Sequence, residues 1–234
     1  MTLAVLGYHQ IGEPSPGGWH TWYYVSEETL LGHFAYLRDN AWEVIDATTL
    51  LRALDDPSVL PERAALLTFD DGYRSMVTSA LPCLAAFDYP AVLFMPTAYV
   101  GDVNRFDVDS AQPEEPMCSW DELRQLEAAG VSVESHGVTH RSFTALSPAE
   151  IETELATSKA VLEQELGKEV ELFAFPYGED GADPGAVRGA IARCGYRAAF
   201  LYHGGATPIS EFGRFEIPRV PLGSDSDLSD DLAG

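Results

Sequence analysis

Short apolar runs alternate along the chain with polar, cap-rich stretches, at intervals that suit strand–helix–strand units. Residues 3–6, 43–46, 66–69, 91–95, 131–134, 171–175, 197–201 and 216–220 read as strands. Between them lie helix signals. Ser26 is placed as an N-cap ahead of Glu27 and Glu28, with Leu30, Phe34 and Leu37 at helical spacing. Thr48 is read as the cap of a helix carrying Leu50, Leu51 and Leu54, and residues 73–88 as a helix bent near Pro82. Ser119-Trp120-Asp121-Glu122 and Ser147-Pro148-Ala149-Glu150 have the form of capping boxes, stopped by Gly130 and Gly167. Asp183-Pro184 opens a further helix that Gly195 ends.

Some seven alternations of strand and helix predict an α/β fold with parallel strands inside and helices outside, closed into a barrel. Two stretches break the rhythm. Residues 12–18 form a Gly/Pro loop with Trp19, His20, Trp22, Tyr23 and Tyr24 behind it, a set that reads either as a sugar-stacking platform or as the closure of one barrel end. Residues 101–118 are acidic and proline-containing, and read as a structureless lid or binding loop. Residues 224–234 are polar and acidic and are expected to be a disordered tail, leaving 1–223 as the folded domain.

Chemistry concentrates at the strand ends. The run at 66–69 stops at Asp70-Asp71-Gly72, where two adjacent carboxylates raise each other's pKa unless a cation or proton intervenes. The run at 131–134 leads into His136 and His140. Two imidazoles and one carboxylate make a three-ligand set with open positions, suited to catalytic zinc and to other divalent transition ions. Alone, Asp-Asp-Gly is most often a turn whose acids cap the next helix. His9 and Tyr177 also follow strand ends, and in a barrel the C-terminal ends of the strands form the active face.

Composition narrows the partners. Fourteen basic and 37 acidic residues give a net charge of −23, which disfavours nucleic acid and anionic membranes. Cys83, Cys118 and Cys194 are too few and too widely spaced for a disulfide framework or a cysteine-based zinc site. No apolar span of about 18 residues is present. Residues 1–7 lack a basic start and reach Tyr8-His9 too soon for a signal peptide, so the chain as written reads as cytoplasmic, or as extracytoplasmic if a leader preceded it.

Three motifs in order, Thr68-Phe69-Asp70-Asp71-Gly72, His136-Gly137-Val138-Thr139-His140 and Phe175-Pro176-Tyr177-Gly178, resemble those of NodB-like polysaccharide deacetylases, carbohydrate esterase family 4. The resemblance spans Tyr8 to about Val220. It implies a deformed, TIM-like (β/α) barrel of about seven parallel strands. It further implies a metal-dependent hydrolase that removes N-acetyl groups from amino sugars of a poly- or oligosaccharide. Under it Asp71, His136 and His140 would hold a divalent ion, zinc first and cobalt or nickel as alternatives. Asp70 would be the general base, and the backbone N–H of Tyr177 would stabilise the oxyanion.

The chain also departs from the family pattern. The third motif often carries an arginine where Ala174 stands, and the usual C-terminal strand bearing an acid histidine is missing. Leu3 to His9 has the form of that strand moved to the N-terminus. With Pro218-Arg219-Val220 it resembles the subgroup containing poly-N-acetylglucosamine deacetylases. His9 is therefore expected as the general acid, against a buried structural histidine, and Arg219 as the orienter of Asp70, against a surface ion pair. Competing functions are an amide or imide hydrolase on a small non-sugar substrate and an inactive carbohydrate-binding module.

Overall fold

The computed structural model describes residues 1–108 and 111–232. In chain order the elements are β1 (Thr2–Tyr8), β2 (Gln10–Ile11), β3 (Tyr24–Val25), α1 (Glu27–Asp39), β4 (Glu43–Val44), α2 (Ala47–Asp55) and β5 (Arg63–Phe69). A π-turn at Met76–Ala80 leads into α3 (Leu81–Phe87), followed by β6 (Ala91–Met95), α4 (Arg105–Val108), α5 (Trp120–Ala128) and β7 (Val131–Ser135). Then come α6 (Pro148–Leu166), β8 (Leu172–Ala174), α7 (Pro184–Arg193), β9 (Ala198–Phe200), β10 (Thr207–Pro208), β11 (Val220–Pro221) and α8 (Leu228–Asp231).

The main sheet runs β10-β1-β5-β6-β7-β8-β9, with β4 beside β5 and β11 beside β1. Strands β1, β5, β6, β7, β8, β9 and β11 run parallel. Closure depends on a short segment near the C-terminus. Ile217 bridges Phe200 of β9, and immediately after Arg219 the same segment pairs with β1 in the register Leu6↔Val220 and Gly7↔Pro221. The result is a deformed (β/α) barrel of seven parallel strands, as the alternation of elements implied.

Side-chain parity along the strands sorts the core into two layers, because successive residues face opposite sides. Leu3, Val5, Leu66, Val92, Phe94, Leu172, Ala174, Phe200 and Ile217 form one cluster, joined by Leu50 and Leu51 of α2. Ala4, Leu6, Leu67, Leu93, Val133 and Phe173 lie in the other, with Phe34, Leu84, Leu126, Leu155 and Ile191 from the outer helices. Asp70 continues the parity of Leu66, and Arg219 that of Ile217. Both polar groups therefore emerge at the rim of the inner layer.

Several local expectations are corrected. Asp46, not Thr48, caps α2, its carboxylate accepting from Thr49 N at 2.7 Å. The strand before it ends at Val44, which brings the acid to the cap. Residues 73–88 are not one bent helix, since the π-turn widens the backbone just ahead of Pro82. The stretch 101–118 is not structureless. It contains α4 and is pinned by Met117 N to Asp102 O (2.9 Å), Asn104 N to Glu115 O (3.1 Å) and Cys118 N to Gly72 O (2.8 Å). Residues 224–232 are not a loose tail. Trp22 Nε1 donates to Asp225 at 2.6 Å, Leu228 and Leu232 are buried, and apolar burial holds the acidic segment down. Ala233 and Gly234 lie outside the described residues.

Candidate active site

The pocket at the C-terminal rim of the strands encloses about 220 Å³ and is lined by His9, Tyr23, Asp70, Asp71, Asp107, His136, His140, Tyr177 and Tyr202, among others. The turn after β5 carries Asp70 and Asp71, and the turn after β7 carries His136 and His140. The turn after β8 carries Tyr177. Asp71, His140 and Tyr177 all adopt left-handed backbone (φ 72°, 54° and 60°). Such conformations cost about 1–3 kcal/mol each in residues with a Cβ and cluster at functional sites. Gly178 is required where it stands, since a Cβ there would fall 2.5 Å from Tyr202. Gly72 has a left-handed φ of 81°, and a Cβ there would meet the Met95 side chain.

Asp71, His136 and His140 are buried, with one ligand atom from each lying within 4.8 Å of the others, a group that could bind a metal ion. The Nε2 atoms of His136 and His140 lie 3.4 and 3.0 Å from Asp71 Oδ1. Close as they are, neither meets that oxygen along a hydrogen-bonding direction, and among the described residues Asp71 Oδ1 has no hydrogen-bond partner. His136 Nδ1 is 2.7 Å from Ala174 O, and a carbonyl can only accept. The neutral imidazole therefore carries its lone pair on Nε2, facing the carboxylate. An orphaned buried oxygen facing such a lone pair is the donor set a divalent cation takes. Burial lowers His136, yet Asp71 and Asp70 outweigh it and raise it above the ordinary value, so the cluster attracts positive charge.

Asp70 stands beside this cluster, its Oδ2 3.9 Å from His136 Nε2, and differs from Asp71 in its partner. Arg219 is fully buried and grips Asp70 with both arms, Nη1 to Oδ1 at 2.6 Å and Nη2 to Oδ2 at 2.8 Å. Its Nε donates to Leu201 O at 2.7 Å, so the guanidinium is held on both edges. Burial pushes the Asp70 carboxyl up, but Arg219 and then His136 overcome that and hold it below the usual carboxylate value. The reading of Arg219 as a surface ion pair is therefore corrected by its burial. The guanidinium reaches Asp70 from the segment that closes the barrel.

His9 lies across the pocket, with Nε2 3.9 Å from Asp71 Oδ2. Its Nδ1 is 3.1 Å from Tyr202 OH, which is also 3.1 Å from Gly7 O. If the single hydroxyl proton goes to Gly7 O, His9 Nδ1–H donates to the phenol oxygen and Nε2 faces the pocket. Burial lowers the His9 pKa, against the opposing pull of Asp71 and Asp70. His203, the other histidine late in the chain, is exposed and does not line the pocket.

Two contributors were not singled out from the sequence. Tyr202, just past β9, holds His9; its only signal was a place after a strand end. Glu154 of α6 is buried and accepts from Val138 N (2.6 Å), Thr139 N (2.9 Å) and Thr139 Oγ1 (2.5 Å). It thereby clamps the turn between the two histidines, and its signal was an acid on a helix face otherwise carrying Ile151, Leu155 and Ser158. The aromatic set divides. Tyr23 lines the pocket and Tyr24 is buried, while Trp22 is tied to Asp225 and Trp19 stands half-exposed.

A barrel with this rim site matches known proteins. The polysaccharide deacetylase family model aligns with residues 58–199, well over half of the chain, and the chain belongs to the polysaccharide deacetylase family. The poly-beta-1,6-N-acetyl-D-glucosamine N-deacetylase of Escherichia coli (strain K12) is 27% identical over 237 residues, covering 88% of this chain and 34% of that protein. The chain thus spans about a third of that relative's length. Streptococcus pyogenes deacetylase PplD, solved in complex with acetate, superposes with a TM-score of 0.84 at 20% identity over 100% of this chain and 99% of that one. IcaB from Ammonifex degensii gives 0.80 at 23% identity, covering 96% and 93%. Among the described residues no helix is long and apolar enough to cross a membrane.

Proposed function

We propose that the chain is a metal-dependent hydrolase that removes N-acetyl groups from amino sugars in a poly- or oligosaccharide. The observation that carries this reading is the division of the two adjacent acids. Asp71 faces two imidazoles, while Asp70 is clamped by Arg219. A binding-only module has no use for a proton acceptor held ionised beside a ligand cluster. Asp71, His136 and His140 would hold the ion, zinc first among the candidates, with cobalt or nickel as alternatives. When bound, such an ion supplies Lewis acidity, acidifying water and polarising a carbonyl.

The remaining work falls to the chain's own groups. Asp70 takes a proton from the attacking water, its oxygens aimed by Arg219. As water oxygen bonds to the acetyl carbon, the backbone N–H of Tyr177 donates to the developing oxyanion. His9 enters this step protonated on both ring nitrogens and gives its Nε2 proton to the amine nitrogen as the C–N bond breaks, with Tyr202 holding the ring at Nδ1; the proton taken by Asp70 restores the charge. Acetate and a free amino sugar leave.

The test is acetate release from β-1,6-linked N-acetylglucosamine oligomers, chitooligosaccharides and small non-sugar amides, with and without chelator. The purified protein should carry about one divalent ion per chain. His136→Ala combined with His140→Ala should remove it. Full occupancy in that double variant, or release indifferent to chelator, would sink the reading.

His9→Ala should lower kcat on an oligomer by about 10²–10⁴-fold with ion content unchanged. The loss should shrink for an aryl acetate ester, whose leaving group needs no proton. An equal loss on both substrates would remove His9 from the acid role.

A further inference from the structure

The pocket of about 220 Å³ is smaller than the roughly 300–1,000 Å³ of sites that enclose a whole drug-sized ligand. It accommodates one sugar ring, so the next rings of a polymer must lie on the adjoining surface. Gln112 forms part of the pocket wall and also part of the wall of a second, open depression of about 540 Å³. The two adjoin at that one side chain. The second depression is also lined by Trp19, Val108 and Glu114. Trp19 is 52% exposed there, a large apolar ring left in water beside the site.

The depression is built from two loops locked into one body. Glu115, buried beneath it, accepts from Ser15 N (2.7 Å), Ser15 Oγ (2.6 Å) and Tyr24 OH (2.7 Å). Its own N–H donates to Asn104 Oδ1 at 2.7 Å, and Asn104, fully buried, donates to Pro113 O at 3.0 Å. Gly18 passes so near that a Cβ would stand 3.3 Å from Pro113. The loop bearing Trp19 is thus fastened to the segment bearing Gln112 and Glu114. Its ring is presented at a set distance from the pocket, at little further ordering cost on binding.

We propose that this depression is a second sugar subsite, in which the Trp19 indole covers the apolar face of the pyranose next to the ring in the pocket. Gln112 and Glu114 take that sugar's hydroxyls. The proposal rests on the glycan reading above, and a depression adjoining the pocket at Gln112 favours a polymer over a single sugar as the better ligand. A tryptophan anchor with a polar rim is the arrangement that carries most affinity in recognition surfaces.

The test titrates a β-1,6-linked N-acetylglucosamine hexamer, and N-acetylglucosamine itself, into the full chain carrying Asp70→Asn to suppress turnover. The hexamer should bind about tenfold tighter than the single sugar, a difference of about 1.4 kcal/mol. Adding Trp19→Ala should erase that advantage, and Trp19→Phe should keep most of it. Equal hexamer affinity with and without Trp19, or no hexamer binding at all, overturns the subsite. So does a Trp19→Ala loss confined to binding of anionic lipid vesicles, which would assign the ring to a membrane. If the Asp70→Asn protein does not fold, the ratio of kcat/KM for hexamer over monomer in the otherwise unaltered chain makes the same comparison, and Trp19→Ala should cut it about tenfold. Acetate release with Trp19-independent hexamer binding sinks the subsite alone. Trp19-dependent binding with no acetate release sinks the reaction alone.

Discussion

Asp70→Asn is expected to lower turnover by about 10²–10⁴-fold while the protein keeps its divalent ion, whereas Asp71→Asn is expected to lose the ion itself. The two side chains are neighbours in sequence, yet they face different partners. Asp70 is held through both oxygens by Arg219, so its amide analogue removes the proton acceptor without touching the His136–His140–Asp71 group. Asp71 offers a buried oxygen with no hydrogen-bond partner among the described residues. Replacing half of that carboxylate by an amide removes the charge the cluster needs. Metal analysis of both variants, with circular dichroism to verify folding, decides the matter. If both lose the ion to the same extent, the division of labour between the acids is wrong.

Arg219→Met is expected to destabilise the fold by about 3–5 kcal/mol, because it leaves Asp70 buried without its cation. The pH dependence has a definite sign. The folded-state value of Asp70 lies below its unfolded value, so its contribution is present above the ordinary carboxylate value of 3.8 and is lost as pH falls through the depressed value. The deficit of the variant should therefore be full at pH 7 and shrink towards pH 3. Chemical denaturation of both proteins at matched ion content reads it directly. A deficit that stays constant down to pH 3 would show that the methionine merely packs badly. Activity should fall as well, since an unpaired buried carboxylate takes up a proton and cannot accept another.

The local features were legible because they rest on short-range physics. Strand runs, the capping boxes at Ser119 and Ser147 and the Pro184 helix start are written in residues within a turn of one another. The alternation of elements implied parallel strands, and parallel strands implied that Asp70, Asp71, His136 and Tyr177 would meet at one rim. That inference needed no contacts. The polar 224–232 segment and the acidic stretch 101–118 misled for the complementary reason. Their composition resembles solvated chain, and what holds them is a few distant groups, such as Trp22 on Asp225 and Ser15 on Glu115.

The sequence by itself determined the barrel, the order of its elements and the identity of the four residues at the ends of β5 and β7. Only the tertiary structure decided how they are held. Arg219 reaches Asp70 from 149 positions away, Tyr202 reaches His9 from 193 away, and Ala174 orients His136 through its carbonyl rather than its side chain. None of these pairings has a local signature. The first two exist because the segment after β9 closes the barrel against β1, bringing residues from distant parts of the chain to one rim, and the third because β7 and β8 are neighbours in the sheet. Once there, burial strips the water from their charges, and only a paired or hydrogen-bonded arrangement survives.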